Sequence, residues 1–247
     1  MAVGIAALAA SKPDGYTIGH PGHPGVFFAP LMEKVPYHPV RDLRQIMQFG
    51  FIHVPVIVRG DSPFKTSQDM IAYARQNPYK MTYATTGGSM GQVVMETIAK
   101  KEGVHFTMIP FKGVPEMETG LLGGHVLVAT TGGLNVSLLD AGKIRVLFLI
   151  SEARLKDLPQ IPTHKDLGYD IPAPLLLSVA GPKGIPENIV KKLEEAFTQA
   201  TKEEAFLKAM KELYLIPFYR NSKDVTDYVA KNYEVFGRLL KEAQLIK

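Results

Sequence analysis

At 247 residues, with 46% hydrophobic and 21% charged residues, the chain can bury roughly three quarters of its unfolded surface and is too ordinary for wholesale disorder or a fibrous repeat. The absence of cysteine excludes disulfides, thiolate metal sites and thiol catalysis. A net charge of +4, with no clustered basic stripe, excludes a nucleic-acid surface and favours small anions as partners.

The first residues, 2–10, are small and apolar, and Ala7-Leu8-Ala9 imitates a leader cleavage site. No basic segment precedes it and the apolar run is short, so no signal peptide is expected in this chain. Glycine and proline then interrupt the sequence at short intervals as far as Gly184. Between them strand-like and helical runs alternate, which predicts an α/β fold. Strands are expected at residues 16–19, 45–51, 54–59, 81–84, 105–109, 126–130, 144–150 and 175–180. Runs such as Val146-Leu147-Phe148-Leu149-Ile150 are apolar throughout, as in mostly parallel sheets covered by helices on both faces. Thr66-Ser67-Gln68-Asp69 offers a capping box for a helix that Asn77-Pro78 stops after Gln76. A second helix is expected over residues 90–101, with Val93, Val94, Thr97 and Ile98 on one face and Lys100-Lys101-Glu102-Gly103 as its exit. From Pro186 onward helical periodicity takes over. Ile189, Leu193, Ala196, Phe197 and Ala200 form one stripe, and a last helix opens near Ser222 and carries Val225, Tyr228, Val229, Tyr233, Phe236, Leu239 and Leu240.

The richest stretch for chemistry is Tyr83-Ala84-Thr85-Thr86-Gly87-Gly88-Ser89-Met90-Gly91-Gln92, where a strand meets a helix through glycines and hydroxyls. Such a junction leaves the first helical amides unpaired beside the positive end of the helix dipole, which suits an anion. A plain turn with Ser89 as helix cap accounts for the same residues. The segment also matches G-x-S-x-G, so an α/β-hydrolase-like esterase with Ser89 as nucleophile, His164 as base and Asp140 as acid is the alternative. Neither a P-loop nor G-x-G-x-x-G occurs at this turn. His20-Pro21-Gly22-His23 brings two imidazoles together, but no third residue has metal-ligand spacing, so no metal and no cofactor is expected. Phe111-Lys112-Gly113 and Thr130-Thr131-Gly132-Gly133 repeat the strand-to-helix theme. In a doubly wound sheet such loops share the ligand-binding edge.

The order of these segments carries a resemblance. Lys12-Pro13-Asp14-Gly15-Tyr16-Thr17, Pro36-Tyr37-His38-Pro39-Val40-Arg41-Asp42-Leu43, the 83–89 turn, Pro110-Phe111-Lys112-Gly113, Leu121-Leu122-Gly123-Gly124-His125-Val126 and Ala141-Gly142-Lys143-Ile144-Arg145 together resemble the extracytoplasmic solute receptors of tripartite tricarboxylate transporters, the Bug family. The resemblance implies a type II periplasmic-binding α/β fold of two lobes that close over a small carboxylate and deliver it to a membrane permease without catalysis. It implies a periplasmic location. One lobe is expected to comprise residues 1–56 and 178–247 and the other 57–177. By the family pattern Thr85, Thr86, Gly87, Gly88, Ser89, Gln92, Phe111, Lys112, Gly113, Thr130 and Thr131 line the cleft, and His20 and His23 face it from the first lobe. Gln92 stands where the family usually has histidine, and Leu127 where it usually has aspartate. Before Lys12, family members carry a first strand and a Gly-rich loop, so an N-terminally truncated first lobe is expected here, its exposed edges possible ground for a homo-oligomer.

Overall fold

The structure, a computed structural model, describes residues 2–243, 245 and 246. Two compact units divide it: one takes the chain up to Ile52 and again from Pro174, the other takes His53–Ala173.

The first unit opens with α1 (Ala2–Ala9), whose Ile5 and Leu8 pack on Tyr37 and Leu43. The strand expected at 16–19 shrinks to one bridge, Gly19 and Ala180 exchanging both backbone bonds at 2.8 Å. Asp14 captures the Tyr16 amide at 3.0 Å in a local turn, and the Tyr16 side chain is exposed. This side-chain bond competes with strand pairing. A π-helical turn, Pro24–Phe28, runs into α2 (Ala29–Met32) and sets Phe27 and Phe28 against Phe236. The nine-residue β1 (Leu43–Phe51) follows.

Only Ile52 and His53 separate β1 from β2 (Val54–Arg59), yet the two strands belong to different sheets. The second unit continues with α3 (Ser67–Gln76), which Thr66 and Asp69 open with a reciprocal capping box. After it come β3 (Met81–Thr85), α4 (Met90–Glu102), β4 (Phe106–Pro110), α5 (Val114–Leu122), β5 (Val128–Thr130), α6 (Val136–Asp140) and β6 (Ile144–Ile150). The sheet order is β4-β3-β5-β2-β6. β3 runs parallel to β4 and β5, whereas β2 is antiparallel to both β5 and β6. This sheet is therefore mixed rather than mostly parallel. Burial on both faces made residues 146–150 of β6 apolar throughout, and burial does not fix strand direction. α4 packs on this sheet through Val93, Val94, Met95 and Ile98, all buried. Each contributes about 1.5–3 kcal/mol by leaving water.

The chain returns to the first unit with β7 (Leu176–Pro182), α7 (Glu187–Ala200), α8 (Glu204–Glu212), β8 (Ile216–Arg220) and α9 (Ser222–Glu242). The resulting sheet, β7-β1-β8, is antiparallel throughout with β1 at its centre. α9 covers β1 and buries Val225, Val229, Phe236 and Leu240.

Candidate functional site

β3 delivers the chain to the mouth of α4 through a turn that the sequence dictates residue by residue. Gly88 sits at φ +63°, a left-handed conformation that glycine adopts without steric cost. Ser89 follows in extended conformation as the N-cap, its Oγ accepting the Gln92 amide at 3.3 Å. The Gln92 side chain folds back, and its Oε1 accepts the Gly88 amide at 2.9 Å. Two amides of the turn are thus satisfied internally. Among the described residues no acceptor faces the amides of Ser89, Met90 and Gly91, and the first turn of α4 holds no acidic side chain. The helix dipole concentrates partial positive charge at these groups.

Behind the mouth runs a chain of hydroxyls. Thr130 Oγ1 lies 2.8 Å from Thr85 Oγ1, which lies 2.8 Å from Ser89 Oγ. Thr85 and Thr130 are both buried, at the adjacent ends of β3 and β5. A Cβ at Gly91 would overlap Thr130 Oγ1, so this helical position admits no side chain. Beneath the turn the Tyr83 hydroxyl donates to Glu96 at 2.5 Å; burial and that carboxylate push the phenol above its ordinary range, so it stays protonated.

The structure gathers Thr85, Gly88, Ser89, Gln92 and Thr130 into this one network. The remaining residues are disposed differently. Thr86 is half-buried and Gly87 exposed on the rim of the turn. The Phe111 amide is engaged by the Thr85 carbonyl at 3.0 Å, and its ring lies against Gly120 of α5. Lys112 is exposed, and its amide donates to the Glu116 carboxylate at 3.2 Å. Gly113 is the N-cap of α5. Thr131 turns into its own loop: its amide bonds to the Pro55 carbonyl and its hydroxyl to that of Gly133. His20 and His23 belong to the first unit. His20 Nδ1 lies 2.9 Å from the Ser178 carbonyl oxygen, while burial, with a smaller push from His20, takes His23 down to about 3 and leaves it neutral. Among the described residues no cluster of three or more His, Asp or Glu could hold a metal ion.

The esterase alternative fails on geometry. His164 is fully buried, its Nδ1 facing the Ser151 amide at 3.4 Å and its Nε2 the Ile171 carbonyl at 2.7 Å. Burial lowers its pKa, and both ring nitrogens are spent on the loop it braces. Asp140 lies exposed at the end of α6. Ser89 Oγ meets Thr85 and the Gln92 amide, and no base. Sequence reasoning missed two residues that shape the region, Gly91 and Glu116. A glycine two positions after a helix cap and an acid in the first turn of the next helix were the available signals.

The family profile described as "Tripartite tricarboxylate transporter family receptor" matches residues 1–245. The UPF0065 protein of the gbd 5′ region of Cupriavidus necator is 33% identical over 241 residues, which span 97% of this chain and 73% of that protein. A TctC solute binding protein from Polaromonas, solved without ligand, superposes with a TM-score of 0.81 at 25% identity, covering 98% of this chain and 83% of that one. A protein of R. palustris solved with adipate does so with a TM-score of 0.81 at 26% identity, again covering 98% of this chain and 83% of that one.

Proposed function

Because the chain belongs to the tripartite tricarboxylate transporter receptors, a family of solute-binding proteins rather than enzymes, we propose that it captures a small carboxylate at the mouth of α4. We propose further that it works in the periplasm and hands this anion to the membrane permease of such a transporter. The observation that carries the reading is the set of amides of Ser89, Met90 and Gly91, without acceptors among the described residues at the positive end of a 13-residue helix. The adipate in the R. palustris relative supports the ligand class.

A carboxylate brings two oxygens and about four lone pairs, which suits converging amide donors. Hydrogen bonds to a charged group contribute about 1.5–3 kcal/mol each, so two or three suffice for capture while leaving release fast. The Ser89 hydroxyl and the Gln92 Nε2 stand beside the amides as further donors. Nothing in the network transfers a proton or forms a bond, and the solute leaves unchanged.

A thermal-shift panel of acetate, succinate, malate, adipate and benzoate tests the reading. Saturation at 100 times the dissociation constant adds about 2.7 kcal/mol to stability, seen as a clear rise in melting temperature for at least one acid. No shift with any of the five would overturn it.

A further inference from the structure

Resting on the carboxylate reading, we propose that Thr130 is a positioning residue for the anion: through Thr85 it fixes which way the Ser89 hydroxyl points. Thr130 is 4% exposed and Thr85 1%. Their Oγ1 atoms and the Ser89 Oγ form a line of three hydroxyls with successive separations of 2.8 Å. Each hydroxyl has one proton and two lone pairs, and one lone pair of Ser89 is already taken by the Gln92 amide at 3.3 Å.

Two proton orders run unbroken along this line, in competition with a longer bond from Thr85 Oγ1 to the Thr86 carbonyl at 3.4 Å. In the inward order Ser89 donates to Thr85, Thr85 to Thr130, and Thr130 to the Ala84 carbonyl at 3.3 Å, which leaves a Ser89 lone pair facing the mouth. In the outward order Thr130 donates to Thr85 and Thr85 to Ser89. Both Ser89 lone pairs are then filled, and its proton can only leave toward the mouth. A negative charge seated on the amides of Ser89, Met90 and Gly91 repels the first arrangement and attracts the second. Aligned hydrogen bonds also polarise one another, so the anion gains from all three hydroxyls rather than from Ser89 alone.

Gln92 points independently to the same kind of guest. It is 9% exposed, and its carboxamide is anchored at the mouth because Oε1 accepts from Gly88. Its Nε2, on the same carboxamide, is therefore at the mouth too and has no acceptor among the described residues. With the hydroxyl line in its outward order, the three amides, the Ser89 hydroxyl and Gln92 Nε2 are all donors, which favours an ionised carboxylate over its neutral carboxamide.

A double-mutant cycle read by calorimetric titration tests the proposal, using as probe whichever of adipate, malate, succinate and benzoate binds the wild type most tightly. Thr130→Val keeps the shape and removes the hydroxyl. It should weaken binding about three- to tenfold, the worth of one net hydrogen bond. Thr130→Ser should recover wild-type affinity to within about twofold, since the hydroxyl is all the line requires. In a Ser89→Ala background Thr130→Val should have almost no further effect, because no hydroxyl remains to be oriented. An equal loss in both backgrounds, or wild-type affinity in Thr130→Val, would overturn the proposal while leaving the carboxylate reading intact. No binding of any of the four acids by the wild type would overturn both. Urea unfolding checks each variant, and should Thr130→Val fail to fold, Thr85→Val interrupts the same line and must show the same coupling to Ser89.

Discussion

The mouths of α4 and α5 are built from the same parts and come to opposite ends. Each follows a strand of the same sheet, each is entered through glycine, and each belongs to the second unit. At α4, among the described residues, the side chains bonded in the turn are neutral, those of Thr85, Ser89 and Gln92, and three amides stay open. At α5 the first turn carries Glu116, which already takes the Lys112 amide, and Pro115, which has no amide to offer. The amides of Gly113, Val114 and Glu116 also have no acceptor among the described residues, so the two mouths differ in the charge beside them: α5 supplies its own carboxylate and α4 does not.

The sharpest way to break this contrast is to fill α4. Gly91→Ala sets a methyl into Thr130 Oγ1; it should cost about 1–3 kcal/mol of stability by overpacking, read by urea unfolding, and remove carboxylate binding in titration. A subtler change makes α4 like α5. Gln92→Glu keeps the acceptor that Gln92 already offers the Gly88 amide and adds a charge, so the helix should gain about 0.3–1 kcal/mol at its positive end. Carboxylate affinity should fall at least about tenfold by repulsion, and a variant that is both more stable and a tighter binder would refute the contrast. The converse change, Glu116→Gln, should cost no more than about 0.5 kcal/mol because the pair is exposed, and leave carboxylate affinity as it was. The smallest expected effect is one of pH. Thr85, Ser89, Gln92 and Thr130 do not titrate, and His23 and His164 are held neutral by burial. Affinity for a fully ionised acid should therefore stay flat from about pH 6 to about pH 9, and a step near the ordinary histidine range would point to an imidazole in the site.

Much of α4 was legible in the sequence because its determinants are local. Gly88, Ser89 and the Lys100-Lys101-Glu102-Gly103 exit fix its ends within a few residues, as Thr66 and Asp69 fix the start of α3. What was not legible depends on partners far along the chain. β8 carries Pro217 and three exposed residues, and it is a strand because β1 pairs with it. The direction of β2 follows from its neighbours β5 and β6, which no property of Val54–Arg59 announces. The Phe111 and Lys112 amides of the next loop are spent on Thr85 and Glu116. The first of those contacts crosses between strands, which a local reading does not reach.

The centre of the first unit's sheet is β1, and both of its neighbours come from beyond residue 173. During synthesis the second unit, one uninterrupted segment, has all its strands once Ala173 has emerged, while β1 still waits with bare backbone edges for β7 and then β8. The order of maturation on the ribosome is therefore written into the topology: the half that bears the mouth of α4 can form first, and the half that begins the chain closes last.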